Sequence, residues 1–340
     1  MILLGVLIQS IVNPESIKSR ANRLTAEAFS VLKNDGVKAL RIAQEAYGMT
    51  LPDPSARTKQ ILSIAYDSYI NNPSRKMGMQ HGGIVTSAKF SPDSKYILTC
   101  SEDQTAKLWN LNGQQLVEFK HMDLVTSAVF SPDGNRILTA SRDRTAKLWD
   151  LNGRLLADLR GHNDTVWQAL FSVDSSKILT ASSDQTAKLW DLNGRLLAEF
   201  THMDMIVSAV FSTDGSKILT CSDDNTAKLW DLNGQVLSQF NHDDAVCTAE
   251  FSSDITMVLT ASYDKTVKIW DMYGQLLSTY KHYDKVTSAV FSPDNTKIVT
   301  ASYDWTSKIF FLNPGSIYNW LKTANIPGLS DDEKKELGIE

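Results

Sequence analysis

Six histidines, His81, His121, His162, His202, His242 and His282, stand at intervals of 40, 41, 40, 40 and 40 residues. Each is followed 22 residues later by an aspartate: Asp103, Asp143, Asp184, Asp224, Asp264 and Asp304. An imidazole beside a carboxylate is the pairing of a general base with the group that orients it. Catalysis needs such a pair once or twice, in a cleft shared with a nucleophile or metal, whereas here it recurs in every unit. The pairs therefore read as scaffold. Thr99, Thr139, Thr180, Thr220, Thr260 or Thr300 stands four before each aspartate, and Trp109, Trp149, Trp190, Trp230 or Trp270 six after it. Phe310 takes the tryptophan's place in the last unit. A buried imidazole, carboxylate, hydroxyl and indole N–H can satisfy one another, tying the loop before a first strand to the turn between the second and third. Phe310 has no proton to donate, so the sixth set is expected to be weaker, with His282 and Asp304 left to find other partners.

Other chemistry is sparse. Cys100, Cys221 and Cys247 form no metal-type cluster, and their odd number favours a reduced interior over a disulfide scaffold. With every histidine assigned, no metal or cofactor is expected. The 340 residues carry a net charge of -5 and are 42 % hydrophobic, which supplies a core but no concentrated basic surface. Nucleic acid is not an expected partner. Residues 1–12 are apolar but fall short of the roughly 20 residues of a bilayer span, so they read as the start of a buried helix or the inner end of a membrane segment.

The elements that must position the repeated residues fall into two composition regimes meeting near residue 75. Residues 1–74 read as helices: Asn13 and Pro14 form a cap and first helical position, Ile17, Leu24 and Ala28 follow at near-helical spacing, and further helices are expected over 37–47 and from Pro54. Residues 75–315 repeat one order of elements. In the second unit, 125–131 alternates, a Ser-Pro-Asp-Gly turn leads to a second strand, and another turn leads to a third. Asn152-Gly153 then suits a two-residue primed turn into a fourth. Four strands in about 40 residues, six times over, cannot make one flat sheet; radial stacking as blades leaves only short edges. The fold class is all-β, a six-bladed β-propeller of four-stranded antiparallel blades with a small N-terminal helical extension. Over 316–340 a short C-terminal helix is expected, with Ser330 and Glu333 as a capping box.

Lys76–Gln80 precede His81 as Leu116–Lys120 precede His121, so they are expected to supply the outer strand of the last blade and close the ring. The alternative is an array that completes its ring with another chain. Function should lie where the units disagree, because shared residues are committed to the blade. The residue before the turn aspartate varies through Glu102, Arg142, Ser183, Asp223, Tyr263 and Tyr303. With Trp167, Met205 and Trp305, these positions should surround one mouth of the channel. Glu102, Arg142, Trp167, Met205, Asp223, Tyr263, Tyr303 and Trp305 are the protein-binding candidates, their aromatic and apolar members having the composition of interface anchors.

The chain resembles the WD40 repeat family, most fully in Gly161-His162, Asp184 and Trp190-Asp191, over His81 to about Leu312. The resemblance implies a blade-bracing role for the His, Asp, Thr and Trp positions and protein partners at the variable ones. Residues 19–47 and 316–339 resemble the segments flanking such arrays in bacterial STAND-type signalling ATPases, in which the propeller is the sensor. No phosphate-binding Gly-x-x-x-x-Gly-Lys-Ser/Thr loop is present, so ATPase activity is not implied. The expected function is a non-catalytic, cytoplasmic protein-interaction scaffold, a monomeric propeller or part of a larger assembly, with membrane association an open question. The alternative, an enzyme or small-ligand propeller using its channel, requires a titratable cluster outside the repeating grid, and the sequence offers none.

Overall fold

The computed structural model describes residues 23–24, 26–28 and 78–312. Arg23, Leu24 and 26–28 are helical, and Ala28 is fully buried. The remaining helical expectations, the apolar start, the capping box of the tail and the boundaries after 74 and 315 lie outside the described residues.

Blade 1 is a four-strand meander, Val85–Phe90, Tyr96–Ser101, Thr105–Asn110 and Gln115–Lys120, each strand antiparallel to the next. Blades 2 to 5 repeat it over 125–160, 166–201, 206–241 and 246–281. Blade 6 has three strands, Val286–Phe291, Lys297–Ser302 and Ser307–Phe311. The first strands of successive blades approach one another and so line the axis. The second strand of each blade packs against the first strand of the next.

That stacking explains the composition. A second strand such as Arg136–Ser141 is covered on both faces, so Ile137 and Leu138, which point in opposite directions, are both fully buried. The core is accordingly not one cluster but five, each a junction between neighbours. In the last of them Leu259, Ala261, Val267 and Ile269 of blade 5 meet Val286, Ala289, Phe291 and Ile298 of blade 6. The repeated alanines and phenylalanines thus sit on the leading face of each blade, against the trailing face of the blade before.

Two expectations need correction. The hairpin between third and fourth strands is not a two-residue primed turn: Gly153 N–H donates to Asp150 O and Asp150 N–H to Arg154 O, and of the Asn152-Gly153 pair only glycine has positive φ. This is a type I turn followed by a left-handed residue. Its cause is the aspartate after the tryptophan, whose Oδ1 accepts from the N–H of Asn152 at 3.0 Å and of Arg154 at 2.8 Å. Glycine is required, since a Cβ on Gly153 would lie 2.7 Å from Val117 of the preceding blade.

The second correction concerns closure. Of the expected closing strand Lys76–Gln80, Lys76 and Met77 lie outside the described residues and Gly78–Gln80 carry no strand; among the described residues the sixth sheet has three strands, and blade 6 makes no junction with blade 1 like the other five. Val85 is 43 % exposed where Val125, Val166, Ile206, Val246 and Val286 are 0 %, and Ile309 is 63 % exposed where Leu229 and Ile269 are 1 % and 2 %. Among the described residues a leading face and a trailing face are left without a partner blade.

Candidate functional site

The repeated polar residues form a hydrogen-bonded chain in each blade. In blade 4 the Trp230 indole N–H donates to Thr220 Oγ1 at 2.8 Å, and Thr220 Oγ1 stands 2.8 Å from His202 Nε2. The threonine has one proton and gives it to Nε2, which leaves the imidazole proton on Nδ1, 2.8 Å from Asp224 Oδ2. Asp224 also accepts from Met203 N–H at 2.9 Å and from the Thr226 hydroxyl at 2.6 Å. Across the blades the His–Asp distance is 2.7–2.9 Å. Burial alone would raise the Asp224 carboxyl, but hydrogen bonds from His202, Met203 N–H and Thr226 outweigh it and hold it well below the usual range. Burial lowers the His202 pKa, keeping the ring neutral. Both imidazole nitrogens are occupied and every histidine side chain is inaccessible, so no ring can take a proton from a substrate.

In the last blade His282 keeps Asp304 at 2.9 Å and Thr300 at 2.8 Å, so neither lacks its expected partner. Phe310 instead packs on Tyr280, ring centroids 4.6 Å apart, and what disappears is the indole hydrogen bond to Thr300.

The cysteines belong to the same framework. Cys100 and Cys221 are buried in inter-blade junctions. Cys247 Sγ donates to Val286 O at 3.0 Å, and burial pushes its thiol up to about 11. None has the depressed pKa of a reactive thiol. Among the described residues no three His, Cys, Asp or Glu could hold a metal ion.

The mouth carrying the histidine loops and aspartate turns differs by sector. Between blades 2 and 3 a groove of about 760 Å³ is lined by Met122, Asp123, Arg142, Arg144 and Asp164. Along blades 4 and 5 Asp223 lies near Asp204 and Asp244, and burial together with those neighbours raises its carboxyl pKa. Along blades 5 and 6 the mouth turns aromatic and cationic: Lys285 Nζ stands 4.6 Å from the Tyr263 ring and Lys308 Nζ 5.3 Å from the Tyr283 ring. Trp305, 98 % exposed, occupies the left-handed corner of the last turn at φ 65°. Gln104, Arg144, Gln185, Asn225 and Lys265 share that conformation, so the corner belongs to the blade and only its bulky occupant is special to the sixth.

The structure brings Asp223, Tyr263 and Tyr303 together, and Trp305 lies two residues beyond Tyr303. Glu102 and Arg142 are exposed on blades 1 and 2. Trp167 is partly held back, its indole N–H donating to Ser183 Oγ at 2.6 Å, and Met205 is half-buried. Sequence reading missed the position immediately after each histidine, where Met122, Met203 and Tyr283 are almost fully exposed. Its variation among units was the available signal. The side chain points out because its own N–H is fixed to the turn aspartate, as Tyr283 N–H is to Asp304 at 3.0 Å.

Six matches to the sequence pattern "WD domain, G-beta repeat" cover residues 74–110, 113–150, 153–191, 194–231, 234–271 and 274–310. The chain belongs to the WD40 family. WD40 propellers are generally non-catalytic protein-interaction scaffolds, in keeping with histidines that are fully committed. A crystal structure of the computationally designed Ika8 protein is similar at TM-score 0.61 and 27 % identity, over 68 % of this chain and 72 % of that one. The Schizosaccharomyces pombe SAGA complex/transcription factor TFIID complex subunit Taf5 is 50 % identical over 34 residues, 10 % of this chain and 5 % of that protein. The matched segment is a small fraction of that relative's length.

Proposed function

We propose that this WD40 propeller is a binding platform for a protein partner, engaged at the mouth formed by the histidine loops and aspartate turns, with the aromatic and cationic sector of blades 5 and 6 as its anchor. The observation that carries this reading is Trp305, almost wholly in solvent on the turn whose Tyr303 N–H donates to Lys285 O and whose Asp304 accepts from Tyr283 N–H. Exposed aromatic side chains are the residues from which interfaces draw much of their energy. The acidic sector around Asp223 and the groove beside Arg142 give electrostatic selectivity on either side.

That the platform is the sensor portion of a STAND-type signalling protein rests on the flanking residues' resemblance alone, and an adjoining nucleotide-binding domain in the neighbouring coding sequence is its support or refutation. A cytoplasmic setting is supported by three unpaired thiols, two of them buried. Affinity capture with the intact chain and a Trp305→Ala, Tyr303→Ala, Tyr263→Ala variant tests the mouth. Loss of specific partners from a variant with an unchanged circular dichroism spectrum supports it, and an unchanged partner set overturns it.

A further inference from the structure

We propose that the chain associates head to tail with a second copy of itself, the leading face of blade 1 in one copy seated on the trailing face of blade 6 in the next. Five junctions show what each face is built to meet. Val286 and Ile298 lead blade 6 onto Leu259 and Ile269 of blade 5. Among the described residues one leading and one trailing set remain unmatched. Val85 and Phe90 lead blade 1 into solvent, with Phe90 66 % exposed, and Val299 and Ile309 trail blade 6 into solvent. These are the two halves of one more junction of the same chemistry. Ser307 stands where the other blades have alanine or valine, but its hydroxyl donates to Thr300 O at 2.8 Å, so covering it strands no polar group.

The backbone fits as well as the side chains. Lys147 Nζ holds the carbonyl of Lys120, the last outer-strand residue of blade 1, at 3.1 Å, and Lys107 Nζ holds the carbonyl of Gln80 at the same distance. Gln80 thus already stands where the outer strand of a preceding blade would end. Blade 6 is the blade whose described strands stop one short, at Ser307–Phe311. Because the two faces differ, the contact is heterologous and propagates to a ring or a filament.

Sedimentation velocity of the full chain over a concentration series tests the proposal. The wild type is expected to gain mass with concentration, and Phe90→Asp and Ile309→Asp each to weaken self-association at least about tenfold. Mixing the two variants should restore a one-to-one complex, since each retains the face the other has lost. Both residues are exposed, so the urea midpoint of the dilute monomer should not change. A monomer throughout the series, or failure of the variants to complement, overturns the proposal. So does a lowered monomer midpoint in both variants, the sign that the faces already meet within one chain.

Discussion

Val286 and Val85 occupy the same place in their blades, yet the first is sealed and the second is almost half exposed. The sequences around them, VTSAVF and VTSAKF, are nearly the same. Burial here is therefore a property of the neighbour rather than of the strand. Each repeat presents two apolar faces and can cover neither alone, so stability accrues at junctions in the manner of a one-dimensional array. The mouth obeys the opposite rule. Its turns are built by shared residues, while its exposed side chains change from blade to blade.

The largest break in the comparison between interior and terminal blades is collective and comes from acid. The framework carboxyls lie below their ordinary 3.8 in the folded chain, so the unfolded chain binds protons first and their contribution is lost as pH falls below that value. His202, lowered from 6.5, adds a loss that begins higher, as pH falls through 6.5. Asp223, beside Asp224 in the chain, is shifted upward and works against this trend. Thermal melts from pH 7 to 3 should show steadily falling Tm, and Asp223→Asn should raise Tm at pH 7.

Next in size is Asp224→Ala, which strips acceptors from His202, Met203 N–H and Thr226 and is expected to cost about 3 kcal/mol. Asp304→Ala should cost less, because Thr306 is exposed and no indole completes that network; urea unfolding of both variants gives the difference. Val286→Ala should then cost about 2 kcal/mol in urea unfolding. Val85→Ala, the same change on an uncovered face, should stay within about 0.5 kcal/mol at monomer concentrations. Trp230→Phe, which reproduces in blade 4 what Phe310 does in blade 6, should cost about 1 kcal/mol for the lost bond to Thr220, between the two valine changes, read from the same unfolding curves.

Much of the fold was legible because the units check one another: an offset of 22 residues that never varies fixes which loop meets which turn. The hairpin at Asn152-Gly153 was not, because Asp150 captures the two backbone N–H groups and a dipeptide rule ignores that side chain. Closure was not either. Lys76–Gln80 look like an outer strand locally, yet Gly78–Gln80 carry none, because whether a segment finds its sheet depends on where two blades lie in space. At the mouth, Trp305 and Tyr303 were readable as departures from the pattern. The outward residues after the histidines were not, since their exposure follows from a backbone hydrogen bond to an aspartate 21 residues away.

Amide hydrogen exchange, followed strand by strand at low and high protein concentration, tests most directly whether the interior blades are held on both faces and the terminal ones on one. Val85–Phe90 and Ser307–Phe311 should exchange fastest in dilute protein and gain protection together as concentration rises, while Ile206–Phe211 and Lys217–Ser222 stay unchanged. Equal protection of terminal and interior strands at every concentration would contradict the account.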